Sequence, residues 1–145
     1  MAVFVLVHGA WHDGSAWDAV ICRLEGKGHK AFAPTVAGHG KGARKVDRFA
    51  VTRINVTHPD CTRSLVESIT GNSLSDIIFV GHSFGGMLIS KVAEAVPERI
   101  RRVVFQNAFV LRDGMSLLDE VPPETAAGFA QLARQSPDNT VIAWC

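Results

Sequence analysis

Apolar residues along this chain fall into short continuous runs that alternate with stripes at helical spacing. The runs are Ala2–Val7, Lys30–Val36, Ile77–Val80 and Arg102–Gln106. Ala2–Val7 and Ile77–Val80 are unbroken and apolar, as strands covered on both faces are. Between the runs, Trp17, Val20, Ile21 and Leu24 mark a first helix, opened by Ser15 as its cap and closed at Gly26 and Gly28; that helix is expected to carry Cys22 in the core. Leu65, Val66 and Ile69 mark a second, with Pro59 in its first turn and Gly71-Asn72 at its end. Met87, Leu88, Val92, Ala95 and Val96 mark a third, stopped by Pro97. Strands alternating with helices predict an α/β fold with a doubly wound parallel sheet, because right-handed crossovers place helices on both faces. The strand order expected is 2-1-3-4.

The pattern changes at Arg112. Asp113-Gly114 is a turn, Val121-Pro122-Pro123 breaks the chain direction, and Phe129, Leu132 and Ala133 form a short amphipathic helix before Ser136-Pro137. Two regions follow: a core over 1–111 with four strands and three helices, and a separate segment over 112–145.

In a 2-1-3-4 sheet the carboxyl ends of the first and third strands meet at the switch point, where ligands of such sheets bind. The first strand ends in His8-Gly9-Ala10-Trp11-His12-Asp13-Gly14. The third turns through Gly81-His82-Ser83-Phe84-Gly85-Gly86 into the third helix. Gly81, Ser83 and Gly85 fit G-x-S-x-G, the nucleophile elbow, in which small flanking residues let strand and helix approach and leave the serine exposed. A glycine-rich turn with serine as a helix cap is the plainer alternative; the strand before and the helix after favour the elbow. Acyl transfer by a serine needs a base and at least two N–H donors for the oxyanion. The Phe84 N–H is one candidate donor and the Ala10 N–H the second, with Gly9, Trp11 and Phe109 as candidate lining of a substrate pocket.

Composition narrows the partners. The 145 residues are 47% hydrophobic, with a formal net charge of +1, which describes a domain with a real core and no field for a polyanion. The densest basic stretch, Lys41–Arg48, lacks interleaved aromatics and reads as a solvated loop, so no nucleic-acid partner is expected. The second strand leads into Pro34–Gly42 and a long polar loop reaching about Val56. Within it, Gly38-x-Gly40-x-x-Ala43, with Asp60 further on, formally fits a dinucleotide fingerprint. It follows the wrong strand, and no apolar stripe comes after it. Cys22, Cys61 and Cys145 are odd in number and without a C-x-x-C pair, against a disulfide framework or a zinc site. No metal and no cofactor are expected. Ala2–Val7 is too short for a secretory leader and no apolar run approaches 18 residues, so no membrane partner and a cytoplasmic location are expected.

Taken together, Phe4–His12, the Gly38-His39-Gly40 turn and Val80–Met87 resemble the α/β-hydrolases, and more narrowly the small esterases related to plant methylesterases and hydroxynitrile lyases. The resemblance implies that Ser83 is the nucleophile, that Ala10 and Phe84 form the oxyanion hole, and that 112–145 begins a helical cap. It also implies that the chain is the N-terminal portion of the fold, ending at Trp144-Cys145 before the remaining core strands. Family members order their triad Ser, acid, His, yet the histidines at 8, 12, 29, 39, 58 and 82 all precede Ser83. The catalytic His and acid are therefore not found in this chain. Strand alternation should turn His82 away from the nucleophile; His8 and His12 suit structural or substrate-contacting roles, His39 and His58 read as loop residues, and Asp113 reads as a turn former. The expected function is hydrolysis of a small-molecule carboxylic ester through an acyl-enzyme on Ser83. A second chain or segment of a split or processed enzyme would complete the sheet beside Arg102–Gln106 and bring the acid and histidine. The alternatives are a cofactor-free lyase of the hydroxynitrile-lyase kind, and a truncated inactive or non-catalytic small-molecule-binding homologue.

Overall fold

The computed structural model describes residues 1–40 and 56–135. The remainder of the polar loop, with Lys41–Arg48 and Ala43, and the stretch from Ser136 to Cys145 lie outside the described residues. The chain divides into two units, Met1–Val110 and Leu111–Cys145.

The first unit is built on four parallel strands, β1 (Val3–Val7), β2 (Lys30–Phe32), β3 (Ile77–Ser83) and β4 (Ile100–Ala108), in the order β2-β1-β3-β4. Its α-helices are α1 (Asp18–Glu25), α2 (His58–Gly71) and α3 (Gly85–Ala95). Val5 pairs with Phe32 on one side and Phe79 on the other, and Phe79 pairs with Val103. Alternation along the strands sends Val5, Val7, Ile77 and Phe79 to one face, where they join Leu65 and Ile69 of α2 and Leu88, Ile89 and Val92 of α3 in one buried cluster. Each such side chain contributes about 1.5–3 kcal/mol on full burial, which fixes α3 against the sheet.

Several boundaries differ from the sequence expectation for local reasons. β2 ends at Phe32 rather than Val36, because Pro34 has no N–H for a ladder. Beyond it, the Thr35 hydroxyl accepts the Gly14 N–H and the Val36 N–H turns to His8. The first helix is preceded by a 3-10 turn, Gly14–Trp17, capped by Asp13 and not by Ser15. The Asp13 carboxylate accepts the Ser15 N–H at 2.9 Å, and the Ser15 hydroxyl donates to the same oxygen. Cys22 is exposed rather than core. Trp17, Ile21 and Leu24 hold the half-buried stripe of that segment, and Cys22 falls a hundred degrees off it. α2 opens on a capping box in which Asp60 accepts the Thr57 N–H at 2.9 Å and its hydroxyl at 2.6 Å. Those bonds hold the Asp60 carboxyl below the usual range. They also account for the one acid the dinucleotide reading needs, and Ala37-Gly38 forms a turn closed by the His39 N–H on the Val36 oxygen instead of opening a helix.

The second unit has a 3-10 turn, Leu117–Asp119, and α4 (Pro123–Gln135). Pro123 stands at the first helical position, where its missing N–H costs nothing. Among the described residues no helix is long and apolar enough to cross a membrane.

Candidate active site

β3 runs through Ser83 and α3 begins at Gly85, so a single residue, Phe84, makes the turn. Ser83 has φ +53°, in the left-handed region that side chains avoid. Tight packing on both sides enforces it. A Cβ on Gly81 would stand 2.7 Å from the Gly85 carbonyl oxygen and 2.7 Å from Ile89 Cδ1. On Gly85 it would stand 2.8 Å from the Val7 oxygen and 2.9 Å from the His8 oxygen. The strand, the helix and β1 therefore converge on the serine with backbone against backbone.

The loop after β1 reaches the same point. A Cβ on Gly9 would lie 3.1 Å from Ser83 Cβ and 3.2 Å from His82 Nδ1. Gly9, Phe84 and Ser83 are thus brought together, and Ala10, half-buried, follows in a turn closed by the His12 N–H on the Gly9 oxygen at 3.1 Å. Phe109 joins them through its N–H, which donates to the main-chain carbonyl oxygen of Ser83 at 3.1 Å. Trp11 does not turn inward; it is 51% exposed.

Two features here carry no sequence signal of their own. The β3–β4 register passes from His82 with Gln106 to Ser83 with Ala108, so Asn107 is an extra residue opposite the serine, at φ +45°. Asparagine tolerates that conformation better than most residues. The second feature is His8, a buried side chain at 1% exposure. Its Nε2 accepts the Val36 N–H at 3.0 Å and its Nδ1 lies 2.8 Å from the Gly9 oxygen. Burial is the main cause that pushes its pKa below the ordinary value. Both of its ring nitrogens therefore face main-chain groups.

The Phe84 ring is set among histidines. His39 stacks on it with centroids 5.8 Å apart, and His58 meets it edge-on at 6.5 Å. His58 opens α2 and is no loop residue; its Nε2 is buried without a hydrogen-bond partner, and burial, then the Lys91 charge, lower its pKa. His82 turns to the other side of the sheet, where its ring faces Trp17 and His12 across a hollow of about 190 Å³ that Ser83 does not line. Among the described residues no histidine ring is hydrogen-bonded to the Ser83 hydroxyl. No group of three or more His, Cys, Asp or Glu among them could hold a metal ion.

A strand, a strained serine, a helix and a glycine loop from the neighbouring strand define an α/β-hydrolase core. The chain belongs to the alpha/beta hydrolase family, which matches residues 4–144. It is 39% identical over 133 residues to a carbendazim hydrolyzing esterase of Nocardioides sp. (strain SG-4G), covering 89% of this chain and 52% of that protein. It is 38% identical over 107 residues to salicylic acid-binding protein 2 of Nicotiana tabacum, covering 74% and 39%. Among solved structures, an extracellular alpha/beta-hydrolase from a Paenibacillus species superposes with a TM-score of 0.86 at 40% identity, over 97% of this chain and 55% of that one. The chain spans about half the length of these relatives or less.

Proposed function

We propose that this chain supplies the nucleophile and oxyanion hole of a serine hydrolase that cleaves carboxylic esters of small molecules. The observation that carries this reading is the strained Ser83 between β3 and α3, with the backbone of the Gly9 loop packed against it. The Ser83 hydroxyl oxygen attacks the ester carbonyl carbon while its proton passes to a base, and the oxyanion so formed is held by the Ala10 and Phe84 N–H groups. Collapse expels the alcohol, which takes up the proton; water then releases the acid from the acyl-enzyme. Residues 112–145 belong in this reading to the beginning of a cap. A cytoplasmic location belongs to this reading as well.

The base and its acid come from a completing segment that pairs with β4. β4 is an edge of the four-stranded sheet and leaves Phe105 41% exposed, and an apolar edge is a liability that pairing removes. One experiment tests both halves: a serine-directed phosphonate applied to protein from its native source, followed by size-exclusion chromatography and intact-mass analysis. Labelling at one site that disappears in Ser83→Ala, on a chain eluting with the completing polypeptide, is the expected result. Labelling that survives Ser83→Ala overturns the nucleophile, and a labelled, folded monomer of 145 residues overturns the completing segment. With the nucleophile removed, an enzyme of this kind keeps only ~10³–10⁴ over water, from binding and the oxyanion hole.

A further inference from the structure

His8 is unusual among the six histidines in having both ring nitrogens engaged by main-chain groups while the ring is buried. Val36 N–H can only donate, so the Nε2 that faces it at 3.0 Å is bare. The Gly9 oxygen can only accept, so the Nδ1 at 2.8 Å carries the proton. One species satisfies both contacts, the neutral ring protonated at Nδ1. An imidazolium sets a proton on Nε2 against the Val36 N–H, and the opposite tautomer fails at both ends.

The Gly9 oxygen also accepts the His12 N–H at 3.1 Å, so two donors hold it in place. That oxygen and the Ala10 N–H are the two ends of one planar trans peptide and point in opposite directions. Whatever fixes the oxygen aims the N–H. The groups that act electrostatically on the His8 ring are His39, His12 and Asp13. His39 meets it edge-on at 5.2 Å and stacks on Phe84, the residue whose N–H is the other proposed oxyanion donor.

We infer that His8 is a positioning residue for acyl transfer: through its Nδ1–H on the Gly9 oxygen, with Nε2 anchored on Val36, it aims the Ala10 N–H at the oxyanion of the Ser83 adduct. The inference rests on the proposed roles of Ser83 and Ala10.

Two substitutions separate its contacts. His8→Asn places an amide N–H near the position of Nδ1 and keeps the Gly9 bond; His8→Gln places an amide oxygen near the position of Nε2 and keeps the Val36 bond. Phosphonylation of Ser83 in the full assembled protein reads the effect, with maximal labelling rate separated from probe affinity. His8→Gln should lower the maximal rate at least about tenfold, within the ~10²–10³ that loss of one donor costs, with probe affinity little changed. His8→Asn should recover most of that rate. Equal losses in the two variants, in step with their loss of thermal stability, or no loss in either, overturn the inference. If neither variant folds, nitrogen-15 spectra of histidine-labelled unaltered protein decide: His8 neutral and protonated at Nδ1 supports it, and the other tautomer or an imidazolium at neutral pH overturns it. Survival of labelling in Ser83→Ala would instead remove the nucleophile reading on which the inference stands, so the two failures are distinguishable.

Discussion

On the α3 side of the sheet, Val5, Val7, Ile77 and Phe79 meet Leu65, Ile69, Leu88, Ile89 and Val92, and all nine are at 1% exposure or less. On the opposite side, where His82 faces Trp17, Leu6 is the one buried apolar side chain among the described strand residues; Phe4, Ile78, Val80 and Val104 are half-buried, and α1 has no buried residue. The Ser83 turn is mounted from the filled side, since Gly81 packs on Ile89 and Gly85 on β1. A strained φ at Ser83 persists only where the surroundings over-determine it, and the α3 side has the packing to do so. The thinly covered side holds the hollow beside His82, and its apolar strand residues retain surface that a further layer would bury.

The sharpest way to break this contrast is to open a cavity in the filled side. Leu88 is completely buried in α3, within one helical turn of Gly85. Leu88→Ala removes three heavy atoms from a tightly packed site and should cost about 2–5 kcal/mol, read as a shift of the urea unfolding midpoint at unchanged slope. Labelling of Ser83 should slow as well, because α3 sets the turn. A cost under about 1 kcal/mol would mean that the site collapses freely and that the α3 side is not the rigid support described.

How much of this is legible in the sequence follows from how local each cause is. The strands, their order and the glycines at 81 and 85 are legible, because β-branched runs and a small-residue turn act within a few positions. The Thr57-x-x-Asp60 box is equally local, although stripe spacing alone passes over it. Cys22 is misplaced because an apolar stripe fixes a helix face only to within a residue or so on either flank. The role of His8 depends on an N–H donor 28 residues away, and the bulge at Asn107 on the register of a neighbouring strand. Neither leaves a periodic trace. Val36 joins the core after β2 has ended, through that same histidine, so an apolar run there does not separate strand from loop.

Acid should act next, and with a definite sign. His8 and His58 both have pKa values lowered from 6.5, chiefly by burial. The unfolded chain then binds more protons than the folded one as pH falls, so their contribution is present above about pH 6.5 and is lost below it. Asp60 and Asp119 are lowered from 3.8 by hydrogen bonds from Thr57 and Ser116, so their contributions persist to lower pH and fade below about 3.8. Thermal melts should therefore show a plateau above neutrality, a first decline below pH 6.5 and a second near pH 4. A melting temperature that rises on going from pH 7 to pH 5.5 would contradict the burial of neutral His8 and His58.

The smallest effect belongs to the thin side and completes the contrast with Leu88. Val20 lies on α1 and is 39% exposed. Val20→Ala removes two methyl groups that are already partly in water, so the transfer loss is small. Alanine also holds the helical conformation better than a β-branched residue by a few tenths of a kcal/mol, which offsets part of that loss. The net change in unfolding free energy should lie within about 0.5 kcal/mol of zero, measured in the same urea titration as Leu88→Ala. A loss of about 2 kcal/mol or more, of the size a buried site gives, would show that α1 is packed as tightly as α3. If the lone chain tolerates Val20→Ala but a protein assembled as proposed loses stability to it, the proposed completing segment would cover α1 as well as β4, and the thin side of the sheet would be the surface that segment buries.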